Sequence, residues 1–234
     1  MTSNPKSTIP ESIHWKPGEP ISSPVREMAK VQPEEVSARD MYKLLIGAIV
    51  PRPIAFVSTV SKSGETNLAP YSFFNGVSSN PPCLMISCGI SPSVGKKDTL
   101  RNIEETKEFV VNSVNEWMVG PMVHAASEYP YGVSEFEKVG FTPIPSERIS
   151  PPRVKESAVQ FECKLHQLVP VGDGSPGSAV IVIGEIVCAH IDKRCFEKGR
   201  INFEMYRTVG RLGGFSYGVV GETFEIPVPE VVAD

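Results

Sequence analysis

Three stretches of the chain gather polar groups where a ligand would need them. The first is ETNLAPYSFFNGVSSNPP (65–82). Asn67, Ser72, Asn75, Ser78 and Ser79 stand there beside Tyr71, Phe73 and Phe74, and Pro70, Gly76, Pro81 and Pro82 interrupt the run. A strand of this kind can lie along a planar ligand and read its edge with backbone and small side-chain groups. The second is SPSVGKKDTLRN (91–102), in which a Ser- and Gly-bearing loop leads through Lys96 and Lys97 into a helix start that Asp98 or Thr99 can cap. Free amides, a helix dipole, a hydroxyl and two ammonium groups together suit a phosphate. The third is RLGGFSY (211–217), whose paired glycines let backbones approach closely or turn sharply. Each stretch also has a plain structural explanation: a barrel strand with one wet face, an ordinary helix cap beside solvated lysines, a hairpin corner. Taken together they describe a flat, polar-edged aromatic ligand with one phosphate tail.

The elements that must position these stretches are mostly strands. Residues 54–60 (IAFVSTV) are β-branched and apolar, and the turn SKSGET (61–66) folds them back on 67–75 as a hairpin. Asn80-Pro81-Pro82 breaks the chain before a strand at 83–88, and FVVNSV (109–114) is another. Two long strand patterns, 159–171 and 178–191, flank the turn cluster VGDGSPGS. Helices are expected over 42–50, 97–106 and 134–139, and over 116–127 with a break at Gly120-Pro121. Strands paired as hairpins, without alternating crossover helices, predict an antiparallel barrel rather than a doubly wound sheet. No GxGxxG after a strand and no GxxxxGK[ST] is present.

The chain has 234 residues, of which 41% are hydrophobic, enough for one sizeable core. Residues 1–36 carry six prolines and read as an extended arm, 37–220 as one domain and 221–234 as a tail. A net charge of −4 argues against nucleic acid as the main partner. No apolar run reaches the ~18 residues of a membrane helix, and the first twenty residues lack the apolar core of a secretory signal. Cys83, Cys88, Cys163, Cys188 and Cys195 form no CxxC pair, so reduced thiols in a cytoplasmic protein are expected. With four histidines and no HExxH, no metal site is expected, and no acid–base dyad stands out as catalytic.

Flavin mononucleotide fits the ligand described above. The motifs PRPIAFVST (51–59), NLAPYSFFN (67–75), NPP (80–82), KKDTLRN (96–102) and GRLGG (210–214) resemble the flavin reductase-like proteins with the FMN-binding split β-barrel. That group includes flavoredoxin and the reductase components of two-component monooxygenases. GVSEFEKVGFTPIPS (132–146), PPRVKESAVQFECKL (151–165) and IGEIVCAHID (183–192) extend the resemblance, which covers about residues 38–218. It implies a mainly β, antiparallel Greek-key split barrel with a few helices, a homodimer, and a monooxygenase or redox-protein partner. It also implies FMN, with FAD as the alternative, and NADH or NADPH as co-substrate, so that hydride passes from nicotinamide to flavin. A flavoredoxin-like electron carrier with tightly held FMN, or a non-redox flavin or haem binding module, are the other functions such barrels host. The resemblance carries the ring and ribityl contacts onto Asn67, Leu68, Ala69, Pro70, Tyr71 and Ser72. The phosphate falls to Lys97, Asp98 and Thr99, while Arg52, Ser58, Thr59 and Ser87 match nearby positions. Ser178 stands where many family reductases carry a histidine near the flavin or nicotinamide. His190 is expected to be a hydrogen-bonded structural histidine.

Overall fold

The structure, a computed structural model, describes residues 10–130 and 132–228. The first nine residues of the expected arm and the last six of the expected tail lie outside the described residues. In chain order the elements are α1 (Ala38–Ala48), β1 (Arg52–Pro53), β2 (Ala55–Val60), β3 (Thr66–Tyr71), β4 (Phe74–Ser79), β5 (Pro82–Gly89), α2 (Asp98–Thr106), β6 (Glu108–Ser113), α3 (Val119–His124), α4 (Glu135–Val139), β7 (Pro143–Ile144), β8 (Arg153–Val154), β9 (Val159–Val171), β10 (Ala179–Ile191), β11 (Phe196–Glu197), β12 (Arg200–Ile201), α5 (Phe203–Tyr206), β13 (Val209–Arg211) and β14 (Tyr217–Val219).

Seven strands form one antiparallel sheet in the order β3-β2-β6-β9-β10-β5-β4. The expected single strand over 67–75 is therefore two strands, parted at Ser72-Phe73 and lying on opposite edges of the sheet. Tyr71 and Phe74 are three residues apart, a span of at most about 10 Å. The two edges must approach each other to that distance, so the sheet curls into a barrel. β3 and β4 are not paired with each other, which leaves the barrel split along this seam.

One core fills the barrel: Ala55, Val57, Leu84, Ile86, Phe109, Val111, Cys163 and Val182, with Leu100 and Ile103 of α2 closing one end. A second core lies outside the sheet, where Phe56 and Leu68 pack on Met118, Met122, Phe136 and Phe141. The two-residue period of β2 assigns its side chains alternately to these cores. Gly184 sits at a register shift between β10 and β9. A Cβ at Gly184 would overlap the Phe109 ring and stand 3.2 Å from Cys163 Cβ. Gly184→Ala is expected to cost about 1–3 kcal/mol by overpacking, read as a lower urea midpoint at unchanged slope. Adding Phe109→Leu should recover part of that loss; an unchanged midpoint in the single variant would show that the ring yields freely.

Two local expectations are corrected. The cap position of α2 is Lys97, not Asp98 or Thr99, because the Lys97 carbonyl already accepts the Arg101 amide at 3.1 Å. Gly120-Pro121 does not break the 116–127 region: a 3₁₀ turn at Glu116–Met118 runs directly into α3, with Pro121 in the first turn. Proline is tolerated there because first-turn amides have no intrahelical acceptor to lose. The glycine motif turns between β13 and β14, and before it a short helix, α5, is capped by Asn202, whose Oδ1 accepts from the Glu204 amide at 3.0 Å.

Residues 15–31 run largely without regular structure and expose Trp15, Ile21, Val25, Met28 and Val31. α1 buries none of its residues and exposes Tyr42, Leu44 and Leu45.

Candidate functional site

β3 is an edge strand, paired on one side with β2. Its free side carries the site. The Leu68 amide points outward and donates to Glu135 Oε2 at 2.8 Å. By the alternation of an antiparallel ladder, Pro70 also faces outward, where its missing N–H breaks no pairing. Beyond Leu68, the exposed edge thus offers carbonyls more than amides, which narrows the expectation that both kinds of group are free.

Below this edge lies a buried polar knot. Asn67 Nδ2 donates to Thr99 Oγ1 at 2.9 Å and to Thr59 Oγ1 at 3.3 Å, and Asn102 Nδ2 donates to Thr59 Oγ1 at 3.0 Å. The knot ties β2, β3 and α2 together, fixing the start of α2 against the strand. The Tyr71 hydroxyl and Asn102 Oδ1 are the buried side-chain atoms without a hydrogen-bond partner among the described residues. Burial pushes the Tyr71 phenol well above its usual range, so it stays a neutral donor.

α2 begins with no side chain capping its first amides. Lys97 precedes them, its Nζ 5.8 Å from the centroid of the Tyr71 ring. Lys96 is drawn away to Glu104 at 2.6 Å. Lys97, by contrast, makes no ion pair among the described residues. Here a cleft of about 230 Å³ opens, lined by Asn67, Ala69, Tyr71, Lys97, Thr99 and Glu135 among others. A second cavity of about 180 Å³ is lined by Tyr42, Arg52, Ser72, Met122, Arg211 and Tyr217. Both touch Pro70 and Ala126, so they lie side by side along β3, and together they are called the groove below. Each alone falls below the ~300–1,000 Å³ of small-molecule sites, and their combined volume reaches that range.

The two ends differ electrically. At the Lys97 end, Asp98 and Glu135 face the cleft, and burial raises both carboxyls toward the neutral form. Glu128 stays ionised, lowered by hydrogen bonds from the Ser93 and Ser91 hydroxyls. At the other end Arg52 is buried and donates to the carbonyls of Ile46, Ile49 and Leu212 and weakly to Ser72 Oγ at 3.4 Å. Arg211 lies over the Tyr217 ring, 4.6 Å from its centroid.

The groove brings together Asn67, Ala69, Pro70, Tyr71, Lys97, Asp98 and Thr99 in one cavity and Arg52 with Ser72 in the other. Thr59 supports it from beneath. Leu68 has its side chain in the outer core and its amide on Glu135. Ser58 and Ser87 line neither cavity. Ser58 donates to the Pro152 carbonyl, and Ser87 is held in β5, its amide donating to Phe73 at 2.8 Å. Ser178 closes the β9–β10 turn, where its hydroxyl accepts from the Gly174 amide at 3.2 Å. His190 lies outside the groove, its Nε2 2.6 Å from Glu162 Oε1. Sequence reasoning missed Glu135, Tyr42 and Arg211 on the groove. Arg211 sits inside the quoted glycine motif and was available; Glu135 and Tyr42 reach the groove only through long-range packing.

These residues match known proteins. The model described as "Flavin reductase like domain" matches residues 47–208. An uncharacterised protein of Aquifex aeolicus is 44% identical over 185 residues, covering 79% of this chain and 92% of that protein. The structure of nitrilotriacetate monooxygenase component B from Bacillus cereus is 41% identical with a TM-score of 0.82, covering 86% of this chain and all of that one (100%). The Pseudomonas fluorescens 2-nitrobenzoate 2-nitroreductase NbaA is 32% identical with a TM-score of 0.77, covering 88% and 99% of the two chains. The edge-strand groove and the curled, split sheet thus sit in a chain that belongs to the flavin reductase-like family of flavin-binding oxidoreductases.

Proposed function

We propose that the groove holds FMN and that the chain is an NAD(P)H-dependent flavin reductase. The observation that carries this reading is the pair of adjoining cavities along β3, one at the uncapped α2 start with Lys97 and the other lined by Arg52 and Arg211, with Pro70 lining both. Lys97, the Thr99 hydroxyl and the first amides of α2 hold the phosphate. Ala69, Pro70 and Ser72 flank the ring, with outward carbonyls of β3 accepting from its edge. Tyr71, which lines the cleft, keeps a hydroxyl without a hydrogen-bond partner among the described residues. Arg52 and Arg211 supply positive charge at the far end. FMN held by these residues would supply the hydride acceptor that an NAD(P)H-dependent reduction needs. The groove's own contribution is to hold the ring flat against β3 and leave one face open for a donor.

The monooxygenase component among the relatives supports a partner protein that consumes reduced flavin. The bare apolar residues of α1 and of the arm support a second copy of the chain covering them. The cysteines, all free, suit a cytoplasmic setting. One observation favours a second reading, an electron carrier with tightly held FMN. None of the residues lining the two cavities is a histidine, and Ser178 is spent on a turn.

An absorbance spectrum of the purified protein, taken anaerobically before and after NADH or NADPH, separates the readings. Flavin bands that bleach with one donor are the expected result. Bands that survive both donors but bleach with dithionite would transfer the assignment to the electron carrier. No flavin bands, even after soaking with FMN, would overturn the groove assignment.

A further inference from the structure

We propose that Glu162, Cys188 and His190 form a binding site for a divalent transition cation of the zinc class, separate from the groove. Cys188 and His190 are two apart on β10 and so share a face of the strand. A bulge does the aiming: the β10–β9 register runs Ile186↔Cys163, then Cys188↔Glu162, leaving Val187 as the extra residue. Cys188 therefore stands opposite Glu162. The three ligand atoms lie within 4.8 Å of one another. His190 Nε2 is 2.6 Å from Glu162 Oε1 and 3.5 Å from Cys188 Sγ.

The pattern of contacts distinguishes a metal site from a thiol relay. A relay needs one ring nitrogen on the thiol and the other on the carboxylate. Here both contacts fall on Nε2, so the three donors converge on one volume. Bonds of about 2.0–2.3 Å to tetrahedral zinc put ligand atoms roughly 3–4 Å apart. The Cys188–His190 distance is already in that range, and the Glu162–His190 contact must open by less than about 1 Å.

The surroundings orient the donors. Glu162 is fully buried, and its carboxylate accepts the amides of Glu147 at 2.8 Å and Arg148 at 2.7 Å. That fixes the oxygens as an outer shell fixes a ligand. On the far side of the imidazole, Glu147 Oε1 lies 4.0 Å from Nδ1, where a carboxylate holds a ligating histidine in its tautomer. Arg153 Nε, 3.9 Å from Glu162 Oε1, is the cation that a bound metal must tolerate. A thiolate and a carboxylate cancel the charge of a divalent ion, and Arg153 then faces a neutral centre. Cys188 and His190 are partly exposed, so the fourth position opens to water.

The test uses the full-length, metal-free protein and Co²⁺ as the probe, because cobalt takes the same ligands and reports thiolate bonds through an intense charge-transfer band. The expected result is a band that saturates at one Co²⁺ per chain and is removed by Zn²⁺, which binds N/S sites more tightly. Cys188→Ser should abolish the band, and His190→Gln should weaken uptake at least tenfold, both with an unchanged circular dichroism spectrum. The other cysteines, Cys83, Cys88, Cys163 and Cys195, are all buried. No band in the parent protein, or a band that persists at full strength in Cys188→Ser, would overturn the site and leave Glu162 and His190 as a structural pair.

Discussion

Replacing Lys97 by Ala is expected to weaken FMN binding by about ten- to a hundredfold while leaving riboflavin binding nearly unchanged. Lys97 precedes the uncapped amides of α2, free of any ion pair among the described residues. A hydrogen bond to a charged group contributes about 1.5–3 kcal/mol, and each ~1.4 kcal/mol is tenfold in affinity. Riboflavin shares the ring and ribityl chain of FMN but has no phosphate. The ratio of the two affinities, measured by quenching of flavin fluorescence, therefore isolates the phosphate contact from everything else in the groove. Salt should erode the parent's preference for FMN and leave the variant's preference flat. Thr99→Val is the companion experiment. It deletes the acceptor of the Asn67 amide and, with it, a phosphate contact, so it should loosen the polar knot and lower the affinity for both ligands, for FMN the more. Equal losses for FMN and riboflavin in Lys97→Ala, or no loss for either, would put the phosphate elsewhere.

How much of this groove the sequence disclosed depended on how local the cause was. The hairpin of β2 and β3 was legible because SKSGET is turn chemistry between two apolar runs. The long pair β9 and β10 was legible because VGDGSPGS left one place to turn. The parting of 67–75 into two strands was not, since nothing in Ser72-Phe73 breaks a strand; the curl of the whole sheet demands it. The choice of Ser58 shows a similar limit. Ser58 and Thr59 are neighbours in one motif, yet the strand's period sends Thr59 to the knot under the groove and Ser58 to the Pro152 carbonyl. Family motifs name positions, but the pleat decides which of two adjacent hydroxyls faces the ligand. Glu135 lies far along the chain from the amide it accepts, and no local pattern encodes that meeting.

Arg52→Met should show the largest loss of stability at the groove, about 2–4 kcal/mol. The methionine keeps much of the apolar stem and removes every donor. Three carbonyls then lose their partner: Ile46 and Ile49 at the end of α1, and Leu212 in the glycine motif. No carboxylate pairs with Arg52 among the described residues; burial lowers its pKa, and the carbonyls together with the negative end of the α1 dipole hold the charge. Arg52→Lys should recover only part of the loss, because one ammonium cannot span the acceptors that the planar fork reaches. Thermal unfolding reads the effect at about 2–4 °C per kcal/mol for a chain of this size. Hydrogen exchange should localise it, with amides of α1 opening first, since that helix buries no side chain of its own and is tied down at its end by this guanidinium. The ligand readout then separates the two ends of the groove. Arg52 lines the cavity away from Lys97, so its loss should weaken FMN and riboflavin by the same factor, where Lys97→Ala weakens FMN alone. If Arg52→Met instead narrowed the FMN-to-riboflavin ratio, the phosphate would belong at the arginine end and the ligand would run through the groove in the opposite direction.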